Sequence, residues 1–294
     1  MSDLARSANF LALPPELSRR EGAFAHIIPV PFDATSSWHK GADLGPQAII
    51  DASAALEWHD IESGGAPAER GIHTTTPVTG AGDDPRSLEP LVRARVGESF
   101  DAGAVPVVLG GEHSVSIGAI AAASDRFEGL TVLQLDAHAD TRASYSGSTH
   151  SHACVMARAM ERSAIVQVGI RSVGGEEVGA LDASRVVWGH EIAASELRGV
   201  EGRAEWVERV VELVGDGPVY VTIDLDVFDP AVVPATGTPE PGGLDWWQVT
   251  GVLAAVAARA RIVGFDVVEL CPRPGGHGSA FAAAKLVNRL LAMV

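Results

Sequence analysis

Short apolar runs alternate with stretches of helical length along most of this chain, and that alternation constrains the fold more than any other feature. Runs at 25–30, 105–109, 130–135, 165–170, 219–225 and 262–268 read as strands, with shorter ones near 71–73 and 185–188. Helical segments at 88–102, 204–214, 246–260 and 280–294 fall between or after them. Strands joined by helices pack as a parallel sheet covered on both faces. The repeats are too uneven for eight regular units closing a barrel, so an open sheet is expected. In such a sheet, ligands sit outside the carboxyl ends of the strands.

Four polar clusters lie at those ends. Asp136, His138 and Asp140 follow the run 130–135 at every second position, and alternate residues of an extended chain share a face. Glu112-His113 follows 105–109, Asp224-Leu225-Asp226 closes 219–225, and Glu269 follows 262–268. Random placement would scatter such groups over both edges. Asp136, Asp140, Asp224 and Asp226 offer four carboxylates, and His113 and His138 two imidazoles. Six donors with carboxylates able to bridge suit two divalent ions about 3.5–4 Å apart. A single ion would leave carboxylates crowded and unneutralised. The oxygen-rich set favours Mn²⁺ over Zn²⁺, with Fe²⁺, Co²⁺ and Ni²⁺ also compatible. The chemistry implied is metal-assisted hydrolysis.

Composition narrows the partners. The 294 residues are expected to form one domain with a large core. No apolar run is long enough to span a membrane, and the N-terminal residues lack the pattern of a secretory signal. Two cysteines, Cys154 and Cys271, are too few for a disulfide framework and point to a cytoplasmic protein with reduced thiols. A net charge of −16 argues against nucleic acid or an anionic membrane as partner. It suits a cationic substrate, although the same balance also serves solubility.

The motifs G-G-E-H-S (110–114), D-A-H-A-D (136–140), S-H (151–152), D-L-D-V-F-D-P (224–230), P-A-T-G-T-P-E-P-G-G-L (234–244) and G-F-D-V-V-E-L (264–270) occur in order. Together they resemble the ureohydrolase family of arginases and agmatinases. The segment 31–46 is similar to the agmatinase branch. The resemblance implies a three-layer α/β/α fold around a mainly parallel sheet and a centre of two Mn²⁺ ions. It implies that His113, Asp136, Asp140 and Asp224 hold one ion, and Asp136, His138, Asp224 and Asp226 the other. Asp140 would also orient the attacking oxygen, and His152 would shuttle a proton near the leaving group. Glu269 would pair with the guanidinium, whose fork of donors matches a carboxylate. Asp266 would act behind the ligands, and Thr236 and Thr238 would line the pocket.

Departures from the arginase pattern bear on substrate. Glu112 stands for an aspartate and Ala153 for a glycine. Gly174 replaces the aspartate that receives an α-amino group, and Arg142 replaces an asparagine. The resemblance therefore implies a small cationic guanidino substrate without an amino-acid head, agmatine first, cleaved to urea and putrescine. Arg142 as a carboxylate partner keeps guanidinobutyrate and guanidinopropionate open. Arginase, formiminoglutamase or amide-deacetylase activity and a catalytically silent binding subunit are the remaining alternatives. A homo-oligomer, trimer or hexamer, is expected from the resemblance.

Overall fold

The computed structural model describes residues 7–294. Eight strands form one sheet: β1 (Ala25–Val30), β2 (Ile72–Thr74), β3 (Val105–Gly110), β4 (Thr131–Leu135), β5 (Ala164–Val168), β6 (Val186–Val187), β7 (Pro218–Asp224) and β8 (Arg261–Val268). Their order is β2-β1-β3-β8-β7-β4-β5-β6, and every neighbouring pair is parallel. The sheet is thus wholly rather than mainly parallel.

The strands are apolar on both faces, as a doubly covered sheet requires. Ile27, Val107, Leu109, Leu133, Leu135, Val221 and Phe265 belong to one core. The helices Gly45–Ser53, Val200–Val214, Trp246–Ala257 and His277–Leu291 close it through Ile49, Trp206, Val210, Leu253 and Leu286. Ile28, Val30, Val108 and Val132 face the other core, under Pro85–Asp101, Ser116–Arg126 and Val155–Ala159. The alternation in β1, Ile27 to one side and Ile28 to the other, repeats in β3 with Val107 and Val108. Three layers result.

The chain sets the site through one long step. After β3 it passes over to β4, and the gap between them is later filled by β7 and β8. The four central strands β3, β8, β7 and β4 are therefore those whose carboxyl ends carry the four polar clusters. Gly111 lets two strand-end loops touch: a Cβ there would collide with the Phe32 carbonyl. The Gly111 and Glu112 N–H groups donate instead to Val30 O and Phe32 O at 2.9 and 2.8 Å.

Some expected elements shift. After β4 the sequence 154–163, whose composition reads as a helix, is helical only over Val155–Ala159, following a 3-10 turn at His152–Cys154. Its first N–H groups, from Met156 and Ala157, donate to the Asp140 carbonyl, which ties the turn to the strand-end loop. A helix at Gly189–Glu196 has no counterpart in the sequence reading; it buries only Gly189, Ile192 and Ser195, too few for an apolar stripe. No helix among the described residues is long and apolar enough to cross a membrane. Cys154 and Cys271 are both buried and free.

Candidate metal centre and active site

The donors converge above the middle of the sheet. Asp136 leaves β4 fully buried, and its Oδ1 accepts the His138 N–H at 2.6 Å. Asp224 ends β7, and its Oδ1 accepts the Asp226 N–H at 2.8 Å. These carboxylate-to-backbone bonds two residues apart turn each loop sharply enough to bring the next acid back. Simple alternation does not carry through to Asp140, whose φ is +52°. Glu269 has φ +64°. Side chains other than glycine rarely hold this conformation, and such strain gathers at functional sites.

Two compact triads result, His113/Asp136/Asp140 and Asp136/His138/Asp226, each with donor atoms within 4.8 Å of one another. Asp136 belongs to both. His113 Nδ1 lies 3.2 Å from Asp136 Oδ2, 3.0 Å from Asp140 Oδ2 and 3.6 Å from Asp224 Oδ2. His138 Nδ1 lies 2.9 Å from Asp226 Oδ2 and 3.6 Å from Asp136 Oδ1. Asp224 stands outside both triads, beside the first.

The residues fit a pair of cations. Buried His113 Nδ1 makes no hydrogen bond, while Nε2 lies 2.9 Å from Thr222 Oγ1, which donates to Asp266 Oδ1 at 2.6 Å. The hydroxyl has one hydrogen and spends it on Asp266, so it must accept Nε2–H. The Nδ1 lone pair then faces the carboxylates, as a metal ligand held from behind would. Metal-free, the cluster can be neutralised only by protons. Burial disfavours the cation of His138, yet the charge of Asp226 and bonds to Asp136 and Asp226 push its pKa up to about 12. His113 is likewise raised well above the ordinary range: burial opposes its cation, but the Asp136 and Asp140 carboxylates 3.0–3.2 Å from Nδ1 outweigh it. Burial, then the charge of Asp136, lifts Asp140 to about 6. Burial and the charges of Asp226 and Asp136 lift Asp224 well above the carboxylate range. Asp136 alone is lowered: burial opposes its charge, but the His113 and His138 imidazoles beside it prevail. Divalent ions would replace these protons with charge the site is shaped to hold.

A cavity of about 190 Å³ opens over this cluster, lined by His113, His138, Asp140 and Asp224 and by Glu269, His152, Thr238 and Arg142. Glu269 is anchored by the His113 N–H on Oε1 at 2.8 Å, and burial followed by the charge of Glu112 raises its pKa well above the usual range. His152 meets Thr35 Oγ1 and Ser37 Oγ, each at 3.0 Å. Burial, then the cations of His113 and His138, lowers it to about 4. His150 bonds Thr149 and Glu89 away from the cavity. Thr236 is buried outside the lining, its carbonyl taken by Arg273.

Arg142 lines the cavity but is already engaged. Its Nε donates to Glu176 Oε1 at 2.7 Å, Nη2 lies 3.6 Å from Glu177 Oε2, and the guanidinium covers the Tyr145 ring at 4.8 Å. A Cβ at Gly174 would strike Nη2, so the guanidinium fills the space a larger residue at 174 would need. Glu177, 4% exposed, was not anticipated; it also accepts from Thr141 and Gly174 N–H groups at 2.9 and 2.8 Å. Nor were Thr35, Ser37, Thr222 and Gln134. Gln134 donates to Asp136 Oδ2 at 2.7 Å from within β4. Its one signal was a lone amide inside an apolar run.

The sequence model of the arginase family matches residues 23–293. The chain is 33% identical to the N(1)-aminopropylagmatine ureohydrolase of Synechocystis, over 90% of this chain and 87% of that protein. It is 35% identical to the agmatinase of Pyrococcus horikoshii, over 91% of this chain and 90% of that protein. Among solved structures, the agmatine ureohydrolase of Thermoplasma volcanium superposes with a TM-score of 0.82 at 30% identity, covering all of this chain and 94% of that one.

Proposed function

The chain belongs to the arginase family, a ureohydrolase cleaving amidine C–N bonds of guanidino compounds, and from that premise we propose that it acts on a guanidinoalkylamine with the aid of two Mn²⁺ ions. Agmatine, or agmatine extended at its amine, is the substrate class. The observation that carries this reading is the state of Arg142. Two carboxylates, Glu176 and Glu177, already outweigh its charge, which disfavours a substrate carboxylate there. Gly174 offers no acid for an α-amino group, and Arg142 fills its space. Glu240, 3.8 Å from His138 Nε2, adds negative charge beside the cluster. A tail ending in an amine meets these conditions; an amino-acid head does not. The names of the Synechocystis and Pyrococcus relatives agree with an amine tail.

His113, Asp136, Asp140 and Asp224 would hold one ion, and Asp136, His138, Asp224 and Asp226 the other. When bound, the pair supplies an acidified water at neutral pH and neutralises the crowded carboxylates. Glu269 takes the guanidinium through its free oxygen and fixes the carbon over the cluster. Asp140 accepts a hydrogen bond from the attacking oxygen. Water adds to the carbon, the C–N bond to the tail breaks, and His152 delivers a proton to the departing nitrogen, giving urea and an amine. We also expect the protein to act as a homo-oligomer in the cytoplasm.

Urea release by the Mn²⁺-loaded protein tests the reading, with agmatine, N(1)-aminopropylagmatine, arginine and 4-guanidinobutyrate offered in parallel. The highest kcat/KM should fall on one of the two amines, and Asp136→Ala should abolish it. Preference for guanidinobutyrate would overturn the reading of Arg142, and no urea from any substrate would overturn the activity.

A further inference from the structure

His152 is held at both ring nitrogens by one loop, and the hydrogens around Thr35 decide its tautomer. The Thr35 hydroxyl donates to Glu112 Oε1 at 2.7 Å, and the Thr35 backbone N–H donates to Glu112 Oε2 at 2.5 Å. Ser114 donates to the same Oε1 at 2.7 Å. Three donors, one of them a backbone N–H, thus converge on this one carboxylate. A hydroxyl has one hydrogen and two lone pairs. Its hydrogen committed, Thr35 Oγ1 can only accept from His152. One lone pair takes the His152 backbone N–H at 3.1 Å. The other faces Nδ1 at 3.0 Å.

We propose that Glu112, acting through the Thr35 hydroxyl, holds His152 as the Nδ1–H tautomer and so leaves Nε2 as the nitrogen that exchanges a proton with the departing amine. The proposal rests on the role of His152 given above. Glu112 and Thr35 are positioning residues. The same wiring occurs a second time in the molecule: His113 Nε2, Thr222 and Asp266 form the equivalent chain of imidazole, hydroxyl and carboxylate. Both carboxylates are fully buried. In each chain a buried acid orients an imidazole at one remove, as the aspartate of a serine hydrolase triad does directly. One chain turns Nδ1 of His113 toward the cations; the other turns Nε2 of His152 toward the leaving group. When Nε2 carries a proton, the Glu112 charge stabilises the imidazolium without contacting it. The substrate-facing lone pair meets the Ser37 hydroxyl at 3.0 Å, which the departing nitrogen would displace.

Two variants separate the hydroxyl from the bulk. Thr35→Val keeps the branched shape and removes the relay, whereas Thr35→Ser keeps the hydroxyl. The protein is loaded with Zn²⁺, which is diamagnetic, for ¹⁵N NMR of labelled histidines, and with Mn²⁺ for kinetics; His152→Asn assigns the resonances. We expect protonated Nδ1 and bare Nε2 for His152 in the parent and in Thr35→Ser, and a shift toward Nε2–H in Thr35→Val. We expect kcat of Thr35→Val to fall about 10- to 100-fold, short of full loss of an acid–base group, with KM little changed. An Nε2–H tautomer in the parent, or a Thr35→Val protein with the parent's tautomer and kcat, overturns the proposal. The His152→Asn control distinguishes the two levels: full kcat there overturns the role of His152 itself, while the tautomer readout judges the Glu112 wiring alone.

Discussion

Replacing Thr222 by valine probes how His113 is held to the first triad. Thr222 is fully buried, and its hydroxyl accepts Nε2–H from His113 at 2.9 Å and donates to Asp266 Oδ1 at 2.6 Å. Valine keeps the shape and offers neither bond. The Nε2–H then has no acceptor in surroundings without water, which costs about 1–3 kcal/mol. The ring can escape by moving its hydrogen to Nδ1, but that hydrogen would occupy the lone pair that faces Asp136 and Asp140. Either route would fall on the ion that His113 is proposed to hold. Loss of an outer partner weakens a metal site by about 10–100-fold, or about 1.4–2.7 kcal/mol. Calorimetric titration of stripped protein with Mn²⁺ against a competing chelator resolves the two sites. One affinity should drop by that factor, and the other, built on His138, should hold, because His138 does not touch Thr222. Thr222→Ser should behave as the parent. Equal weakening of both sites, or of neither, would refute the argument.

Metal binding should release protons and weaken as pH falls, because His113, well above its ordinary range, and His138, at about 12, are protonated in the stripped protein at neutral pH; an enthalpy independent of buffer ionisation would count against this. The pKa of Asp33 is lowered, bonds from Ser36, Gly41, Lys40 and Ala42 prevailing over burial. A depressed acid stabilises above its unfolded pKa and ceases to as pH falls through the folded one. Asp33→Asn should therefore lower Tm at neutral pH, with the difference closing toward acid; a constant difference would rule out the charge as cause. Arg289 bonds buried Asp60 at 2.5 Å and Glu62 at 2.6 Å. Arg289→Met strands a buried carboxylate and should cost about 3–5 kcal/mol in urea unfolding, partly recovered by adding Asp60→Asn; a loss below about 1 kcal/mol would mark the pair as no better than a surface one.

What was legible in the sequence followed from local pattern. The apolar runs marked where strands end, and the chemistry of 113, 136–140, 224–226 and 269 marked which ends share a task. The sheet order needed none of the supporting groups. Thr222, Gln134, Thr35 and Glu177 act on residues far away in sequence, through hydroxyls, amides and acids that are ordinary in any loop or strand. No periodicity singles them out. Arg142 illustrates the limit. Its charge was visible, but the sequence did not show that Glu176 and Glu177 would take it up. His150 and His152 carry the same chemistry two residues apart, and only packing turns one toward Glu89 and the other toward the cavity. The positive φ at Asp140 broke the alternation that first made it conspicuous.

The topology explains why so costly a site is tolerable. Four aspartates, two histidines and Glu269 are brought together with little solvent, and two of the seven sit in strained backbone. Unneutralised, such a group opposes folding. The chain meets this by drawing the members from both halves of its length. His113 and the 136–140 loop come from strands that do not touch, and they are joined only when β7 and β8 fill the gap between them. The 136–140 loop, the Asp224/Asp226 pair and Glu269 are thus apart in the unfolded chain, where their acids are solvated, and the folded sheet is what brings the three groups together. That core is apolar on both faces of the sheet, and the Thr35, His138 and Asp226 N–H groups, donating to the carboxylates of Glu112, Asp136 and Asp224, tie the loops to it. The unfolded chain offers no equivalent set of donors, so cations held by these residues would bind the folded state alone and add their binding free energy to its stability. The residues that make the folded protein expensive without metal are the same ones that would make it stable with metal.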